Sequence, residues 1–182
     1  MSKLAKATLG LMIATILAKI LGFGRELVLA SCYGASMYSD AYITAMNIPL
    51  VIFASIGGTL GTVLIPMYFE VENKLGNKKS LEFINNILNV VTMLCILLGI
   101  IGFIFAEQLV KIFAIGFEGE ILEISVNFTR IIIFGIIATG LSYIMTAYLQ
   151  IKNNFTIPGL ASIPKNIIII ISIILSVKYN PY

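Results

Sequence analysis

Five long apolar stretches alternate with short polar segments along the chain. They run from Leu4 to Ser31, Ala41 to Phe69, Leu81 to Phe105, Ile121 to Leu149 and Ile157 to Val177. Each is near or above the roughly 20 residues that a helix needs to cross the hydrocarbon core of a bilayer. Because open sheets cannot satisfy their backbone in lipid, and barrel strands would be about half as long, we predict that all five stretches are membrane-spanning helices.

The segments between these stretches have the turn chemistry of loops, and their lysines indicate the orientation. The loops are Tyr33 to Asp40, Val71 to Ser80, Gly116 to Gly119 and Lys152 to Thr156. If the N-terminus is cytoplasmic, most of the basic residues near the ends of the spans are cytoplasmic too, namely Lys3, Lys6, Lys74, Lys78, Lys79 and Lys152, whereas Lys111 and Lys178 are outside. The positive-inside rule therefore predicts a cytoplasmic N-terminus.

An odd number of spans places the C-terminus outside, where the chain stops on the turn-like segment Lys178 to Tyr182. No partner helix follows this segment. We therefore expect an incomplete protein, whose remaining C-terminal helices are partners of this chain.

The composition excludes several classes of protein. The chain is 59% hydrophobic and 12% charged, with a mean hydropathy of +1.01, whereas a soluble domain carries about 25% charged residues. Its net charge of +3 comes from scattered side chains, so we predict no nucleic-acid partner. Histidine is absent, and Cys32 and Cys95 lie in separate apolar stretches, as buried thiols do. We predict no catalytic residue, no cofactor and no metal site.

The first stretch carries three charges, Lys19, Arg25 and Glu26. Each costs about 2.5 to 3.5 kcal/mol near the centre of a bilayer, so this part of the helix should face other helices or water. One interpretation is a salt link between Lys19 and Glu26, which are seven residues apart on nearly the same helix face. The other is a cationic wall for an anionic ligand, in which Gly22 and Gly24 let the helix bend and aim Arg25 into a cavity.

Polar residues at the other stretches also have two interpretations. Asp40 either caps the N-terminus of the second helix or pairs with a cation of another helix. Pro158 and Pro164 predict a bent last helix whose Lys165 and Asn166 face inward. Arg130, near the start of the fourth helix, is interpreted as an interfacial anchor.

Together these residues form motifs that resemble the N-terminal region of the MurJ (MviN) lipid II flippases. The motifs are Lys19 to Glu26, Tyr33 to Ala35, Ser39 to Ala41, Ile48-Pro49, Ile65-Pro66, and Asn154 to Pro158 followed by Asn166. The resemblance covers essentially the whole chain. It implies an all-α, polytopic membrane helix bundle that forms part of the first of two six-helix lobes around a central cavity.

The resemblance also implies roles for single residues. Lys19, Arg25 and Asn166 match substrate-binding positions of the cavity, and Glu26 and Asp40 match positions that gate it or form a charge pair. The sequence departs from the family pattern at Glu26, where aspartate is more usual, at Ile52-Phe53, where many members carry a basic pair, and at Phe134, where members often have proline.

The expected function is the transfer of lipid II, an undecaprenyl-pyrophosphate-linked peptidoglycan precursor, to the outer leaflet of the cell membrane. Such a protein is a transporter and not an enzyme, because no bond is made or broken. One alternative is an exporter for another lipid-linked oligosaccharide or a drug-type solute. A different class is a structural membrane subunit that uses its helices only for packing.

Overall fold

Eight α-helices follow one another in the part of the chain that the structure describes. This computed structural model describes the backbone of residues 3–179, and their side chains outside residues 3–8, 54–56, 58 and 179. The helices are α1 (Lys3–Tyr33), α2 (Met37–Leu75), α3 (Asn77–Ile104), α4 (Ala106–Phe113), α5 (Gly119–Ile132), α6 (Gly135–Ile151), α7 (Thr156–Leu160) and α8 (Ser162–Tyr179). No strand occurs within residues 3–179, so the predicted all-α class is confirmed.

Length and composition also support the predicted membrane fold. Within the described residues, α3 and the combined segment Thr156–Lys178 are each long and apolar enough to cross a bilayer. A third span results if α5 and α6, which are bent by 43° relative to each other, are counted as one. The chain is therefore an all-α membrane protein. The division into five spans stays a prediction.

Most of the predicted loop from Val71 to Ser80 is helical. Helix α2 continues to Leu75 and α3 begins at Asn77, so that only Gly76, at a φ of 85°, separates them. Glycine is suited to this left-handed conformation because it has no Cβ to clash with the backbone. The charged residues around the turn extend the helices because they form ion pairs across one helical turn, Lys74 with Glu70 and Lys79 with Glu82.

Two of the predicted stretches are broken helices. At the junction of α5 and α6, the amides of Ile136 and Ile137 donate to the carbonyls of Ile133 and Phe134, at 3.1 and 3.2 Å. Hydrogen bonds to the third residue back are those of a tight 3₁₀ turn, which interrupts the α-helix. The last stretch divides into α7 and α8 at Ala161, next to the prolines that predicted a bend there.

The chain forms two compact units, and the first contains residues 1–39 and 149–182. Here α1 packs against α7 and α8. The contacts progress in the same direction along both partners, from Gly10 with Thr156 and Ala14 with Gly159 to Ala18 with Asn166 and Tyr33 with Ser176. Helix α1 and the α7–α8 segment are therefore parallel.

The second unit contains residues 40–148. Its largest buried side chains include Ile48, Phe53, Tyr68, Ile136 and Ile144. Helices α3 and α6 approach closely at Gly140, where a Cβ atom would lie 2.6 Å from the Sγ atom of Cys95. Such a close approach of backbones is a common way for membrane helices to gain packing contacts.

Candidate functional site

The charged centre of α1 is the first part of the candidate site. The guanidinium of Arg25 donates a hydrogen bond to the carboxylate of Glu26, and the two side chains are 24% and 50% exposed. Lys19 is exposed, and none of the ion pairs within the described residues involves it. The interpretation of a link between Lys19 and Glu26 is therefore wrong, because Glu26 pairs with its neighbour. In this part of the chain, α1 thus presents one ammonium outside any ion pair and one neutralised, partly accessible guanidinium.

Asn166 of α8 contacts the same part of α1. Its side chain is 7% exposed, and its Nδ2 atom donates to the carbonyl oxygen of Ala18 at 3.5 Å. A Cβ atom on Gly22 would lie 3.8 Å from this nitrogen, so the amide fits beside the glycine. In a regular helix the Ala18 carbonyl accepts from the amide of Gly22, and Asn166 therefore adds a second donor to that carbonyl.

The ends of α1 and α8 are joined by a second polar contact, which the sequence analysis missed. The hydroxyls of Tyr33 and Ser176 lie 2.7 Å apart. Ser176 also donates to the carbonyl of Ile173, so Tyr33 is the donor when Ser176 serves both contacts. Such hydroxyl pairs between membrane helices stabilise packing by about 0.6 kcal/mol. No sequence signal links two residues so far apart, although each lies at a helix end.

Asp40 does not cap α2. The helix begins at Met37, and the cap is a pair of serines: the amide of Ser39 donates to Oγ of Ser36, and the amide of Ser36 donates to Oγ of Ser39. This reciprocal arrangement resembles a capping box, and its serine spacing is the signal that could have found it. Asp40 lies in the first turn, exposed. There the negative charge of Asp40 lies near the positive end of the helix dipole, and this interaction stabilises the helix.

The predicted site residues thus divide between the two units. The structure brings Arg25, Glu26 and Asn166 onto the packed α1–α8 pair, with Lys19 on the same stretch of α1. Asp40 belongs to the second unit. The substrate-binding and gating roles of these five residues stay predictions.

Arg130 contacts an aromatic ring in the second unit. Its guanidinium carbon lies 5.7 Å from the centroid of Phe103, a distance typical of a cation–π interaction. Nearby, the Nζ atom of Lys111 donates to Glu107 at 2.6 Å. This hydrogen bond and the lysine's charge lower the pKa of Glu107 below its ordinary value, with a smaller contribution from Arg130. Three charged groups and one ring thus lie where α3, α4 and α5 meet.

Curated relatives of the chain are lipid II flippases by name. The "Probable lipid II flippase MurJ" of Buchnera aphidicola subsp. Acyrthosiphon pisum is 33% identical over 172 residues, which are 92% of this chain and 33% of the relative. The "Lipid II flippase MurJ" of Thermosipho africanus is 30% identical over 172 residues, 92% of this chain and 35% of the relative. The "Lipid II flippase MurJ" of Burkholderia cenocepacia is 26% identical over 156 residues, which are 84% of this chain and 30% of the relative.

The chain thus spans about a third of the length of the curated relatives that it matches. No solved structure matches it. The resemblance inferred from the motifs of α1 and α2 is confirmed by these relatives and by a family model, described as lipid II flippase MurJ, that matches residues 29–181. The chain belongs to the MurJ lipid II flippase family.

Proposed function

We propose that this chain takes part in moving lipid II from the cytoplasmic to the outer leaflet of the cell membrane by alternating access. The physical problem is that a pyrophosphate-linked sugar head group cannot enter hydrocarbon without a very large desolvation cost. A cationic, polar surface between helices removes that cost while the lipid tail stays in the bilayer. Because the task is translocation, no bond is made or broken, and the protein acts as a transporter and not as an enzyme.

The observation that carries this proposal is the accessible cationic centre of α1. A guanidinium has five N–H donors in a planar fork that matches the oxygens of a phosphate. Glu26 accepts from one nitrogen of Arg25, and the remaining donors leave room for an anionic ligand. Lys19 adds a second positive charge about nine ångströms further along the helix axis, at 1.5 Å per residue. Lys19 and Arg25 would both meet the pyrophosphate of the substrate.

Glu26 and Asn166 would assist in different ways. The carboxylate of Glu26 neutralises Arg25 in the absence of substrate, which lowers the cost of keeping that charge within the membrane. Substrate phosphates would then compete with Glu26 for the guanidinium. Asn166 would hold α8 against α1 beside the site, through its bond to the Ala18 carbonyl, and so keep the two helices together. Asp40 would form a charge pair that favours one of the two transport conformations.

The orientation that suits this function has the N-terminus in the cytoplasm. The lysines near the ends of α2 and α3, namely Lys74, Lys78 and Lys79, then lie on the cytoplasmic side, as the positive-inside rule favours. In this orientation the Arg25 end of α1 lies nearer the outer side than Lys19 does. Remaining parts of a transport cavity would come from further C-terminal helices.

The decisive experiment replaces Arg25 in the protein expressed from its complete gene. Complementation of a strain depleted of its own lipid II flippase should fail for Arg25→Ala and be impaired for Arg25→Lys, because an ammonium cannot reproduce the bidentate fork. Arg130→Lys is the matched control, since its contact with an aromatic ring is one that an ammonium can also make. Normal growth with Arg25→Ala, at a protein level equal to that of the unsubstituted chain, would falsify the proposed role of this arginine.

A further inference from the structure

Helix α4 was not foreseen from the sequence, and its side chains divide into three faces. Ala106 and Val110 are fully buried and lie one turn apart, on a helix that packs along α5. Glu107 and Lys111 form an ion pair on a second, exposed face. The third face is exposed and is apolar towards the C-terminal end of the helix, where Ile112 is 68% exposed, while Gln108 lies one turn before it.

The apolar face continues beyond the end of the helix. Ile115, in the turn before α5, is 92% exposed, and Phe105 and Phe113 are 51% and 40% exposed. A soluble protein rarely leaves such large side chains together in water, and exposed apolar groups of this kind mark a surface that contacts something apolar. The chain itself does not cover this face within the described residues.

The same face is continuous with the exposed surface of α3. Phe105 joins the two helices, because its amide donates to the carbonyl of Ile101 and its carbonyl accepts from the amide of Leu109. Its φ of −96° and ψ of 22° interrupt the helix between α3 and α4. Ile101 and Ile104 of α3 are 44% and 63% exposed, and Phe105 between the two helices is 51% exposed. Helix α3 is long and apolar enough to span a membrane. Lipid is therefore what covers the apolar face just before α4 begins.

We propose that α4 and the turn after it form an interfacial membrane anchor, with Ile112 and Ile115 immersed at the boundary between lipid head groups and acyl chains. The paired Glu107 and Lys111 would face the head groups and water. A short helix with one apolar face and one charged face lies along such a boundary because each face meets its preferred medium. The anchor would fix where the outer ends of α3 and α5 lie relative to the bilayer surface, and it requires no transport activity.

The absence of tryptophan from the sequence gives a direct test. Each of Ile112→Trp, Ile115→Trp, Ile101→Trp and Glu107→Trp introduces a fluorophore that is unique within these 182 residues. The purified variants are reconstituted in vesicles of phosphatidylethanolamine and phosphatidylglycerol that contain phospholipids brominated at either a shallow or a deep position of the acyl chain. Quenching by bromine reports contact with lipid at that depth, and quenching by iodide reports contact with water.

The proposal expects shallow bromolipid to quench the tryptophans at positions 112 and 115 several-fold more strongly than the one at position 107. The tryptophan at position 107 should be quenched mainly by iodide, and that at position 101 by the deep bromolipid. Quenching at 112 and 115 by iodide to the same extent as at 107 would show that this face meets water and would overturn the proposal. Protection of both positions from lipid and iodide alike would also overturn it, because a protein surface would then cover the face.

Discussion

The packing of α3 against α6 can be tested at Gly140, the point of their closest approach. A Cβ atom there would lie 2.6 Å from Sγ of Cys95 and 3.4 Å from side-chain carbons of Phe53 and Val91. Cys95 is 1% exposed, so its sulfur cannot turn out of the way without displacing other buried atoms. The Gly140→Ala variant must therefore separate the helices or force strained side-chain conformations.

The magnitude follows from a matched pair of alanine variants. Overpacking a tight core costs about 1 to 3 kcal/mol, while alanine is better than glycine in a helix by roughly 1 kcal/mol. Gly61 lies inside α2 with no described atom within 4 Å of its virtual Cβ, so Gly61→Ala gains the propensity without the collision. The two variants should differ by about 1 to 3 kcal/mol, since the propensity term cancels. For a chain of this size that corresponds to roughly 2 to 4 °C per kcal/mol in the unfolding midpoint.

The assay is thermal unfolding of the purified chain in detergent, with Cys95→Ala as the compensating change. Removing the sulfur frees the space that the added methyl group of Gly140→Ala would occupy, so the double variant should recover most of the loss caused by Gly140→Ala. A double-mutant cycle measures this coupling directly. Equal midpoints for Gly140→Ala and Gly61→Ala, or strictly additive effects of Gly140→Ala and Cys95→Ala, would show that the two helices do not meet at this glycine.

Three further predictions concern the ends of helices. A cysteine introduced as Asn77→Cys should react with an impermeant maleimide from the cytoplasmic side, and labelling from outside alone would reverse the proposed orientation. Because its pKa is lowered, Glu107 is charged at neutral pH and its ion pair with Lys111 stabilises α4; this stabilisation is lost as the pH falls through the pKa of Glu107. The Lys111→Met variant should therefore raise the pKa of Glu107, as measured by carbon-13 NMR spectroscopy. Asp40→Asn should leave protein levels normal but impair complementation, whereas Ser36→Ala should lower thermal stability, typically by about 1 kcal/mol; full complementation by Asp40→Asn would remove the proposed charge pair.

The helices could be predicted from the sequence largely because apolar length is a strong signal. The chain from Leu81 to Phe105 is apolar enough to be recognised as a span, and α3 covers all of it except its last residue. Helix α4 was missed because its eight residues include three polar ones, Glu107, Gln108 and Lys111, and fall below the length at which a membrane span is considered. The ion pairs that prolong α2 to Leu75 were interpreted as loop charges for a similar reason. Ion pairs between residues three or four apart favour a helix, whereas the same polar residues are also common in loops, and the sequence alone does not decide between the two structures.

The candidate site could be predicted only in part. The three charges of α1 stand out because charged residues are costly in an apolar stretch. Which cation pairs with Glu26 depends on side-chain rotamers, which the sequence does not specify. In the structure the partner is the adjacent Arg25 and not Lys19. The contact between Asn166 and Ala18 joins residues 148 apart in sequence, so it depends on tertiary packing. The spacing of Ser36 and Ser39, three residues apart, is a capping signal in the sequence, but the cap was assigned to the acidic Asp40 instead.

The direction in which α1 and α8 pack constrains the membrane topology independently of the lysines. Because these helices are parallel, they cross the bilayer in the same direction if both span it. The chain between them, residues 34–155, must then cross an odd number of times to return to the starting side. Three crossings, by α2, by α3 and by α5 with α6 as one bent span, satisfy this requirement, whereas two crossings would make α1 and α8 antiparallel. If α2 and α3 both cross the bilayer, we therefore expect the bent pair to act as a single span, with the turn at Ile133 and Phe134 within the membrane.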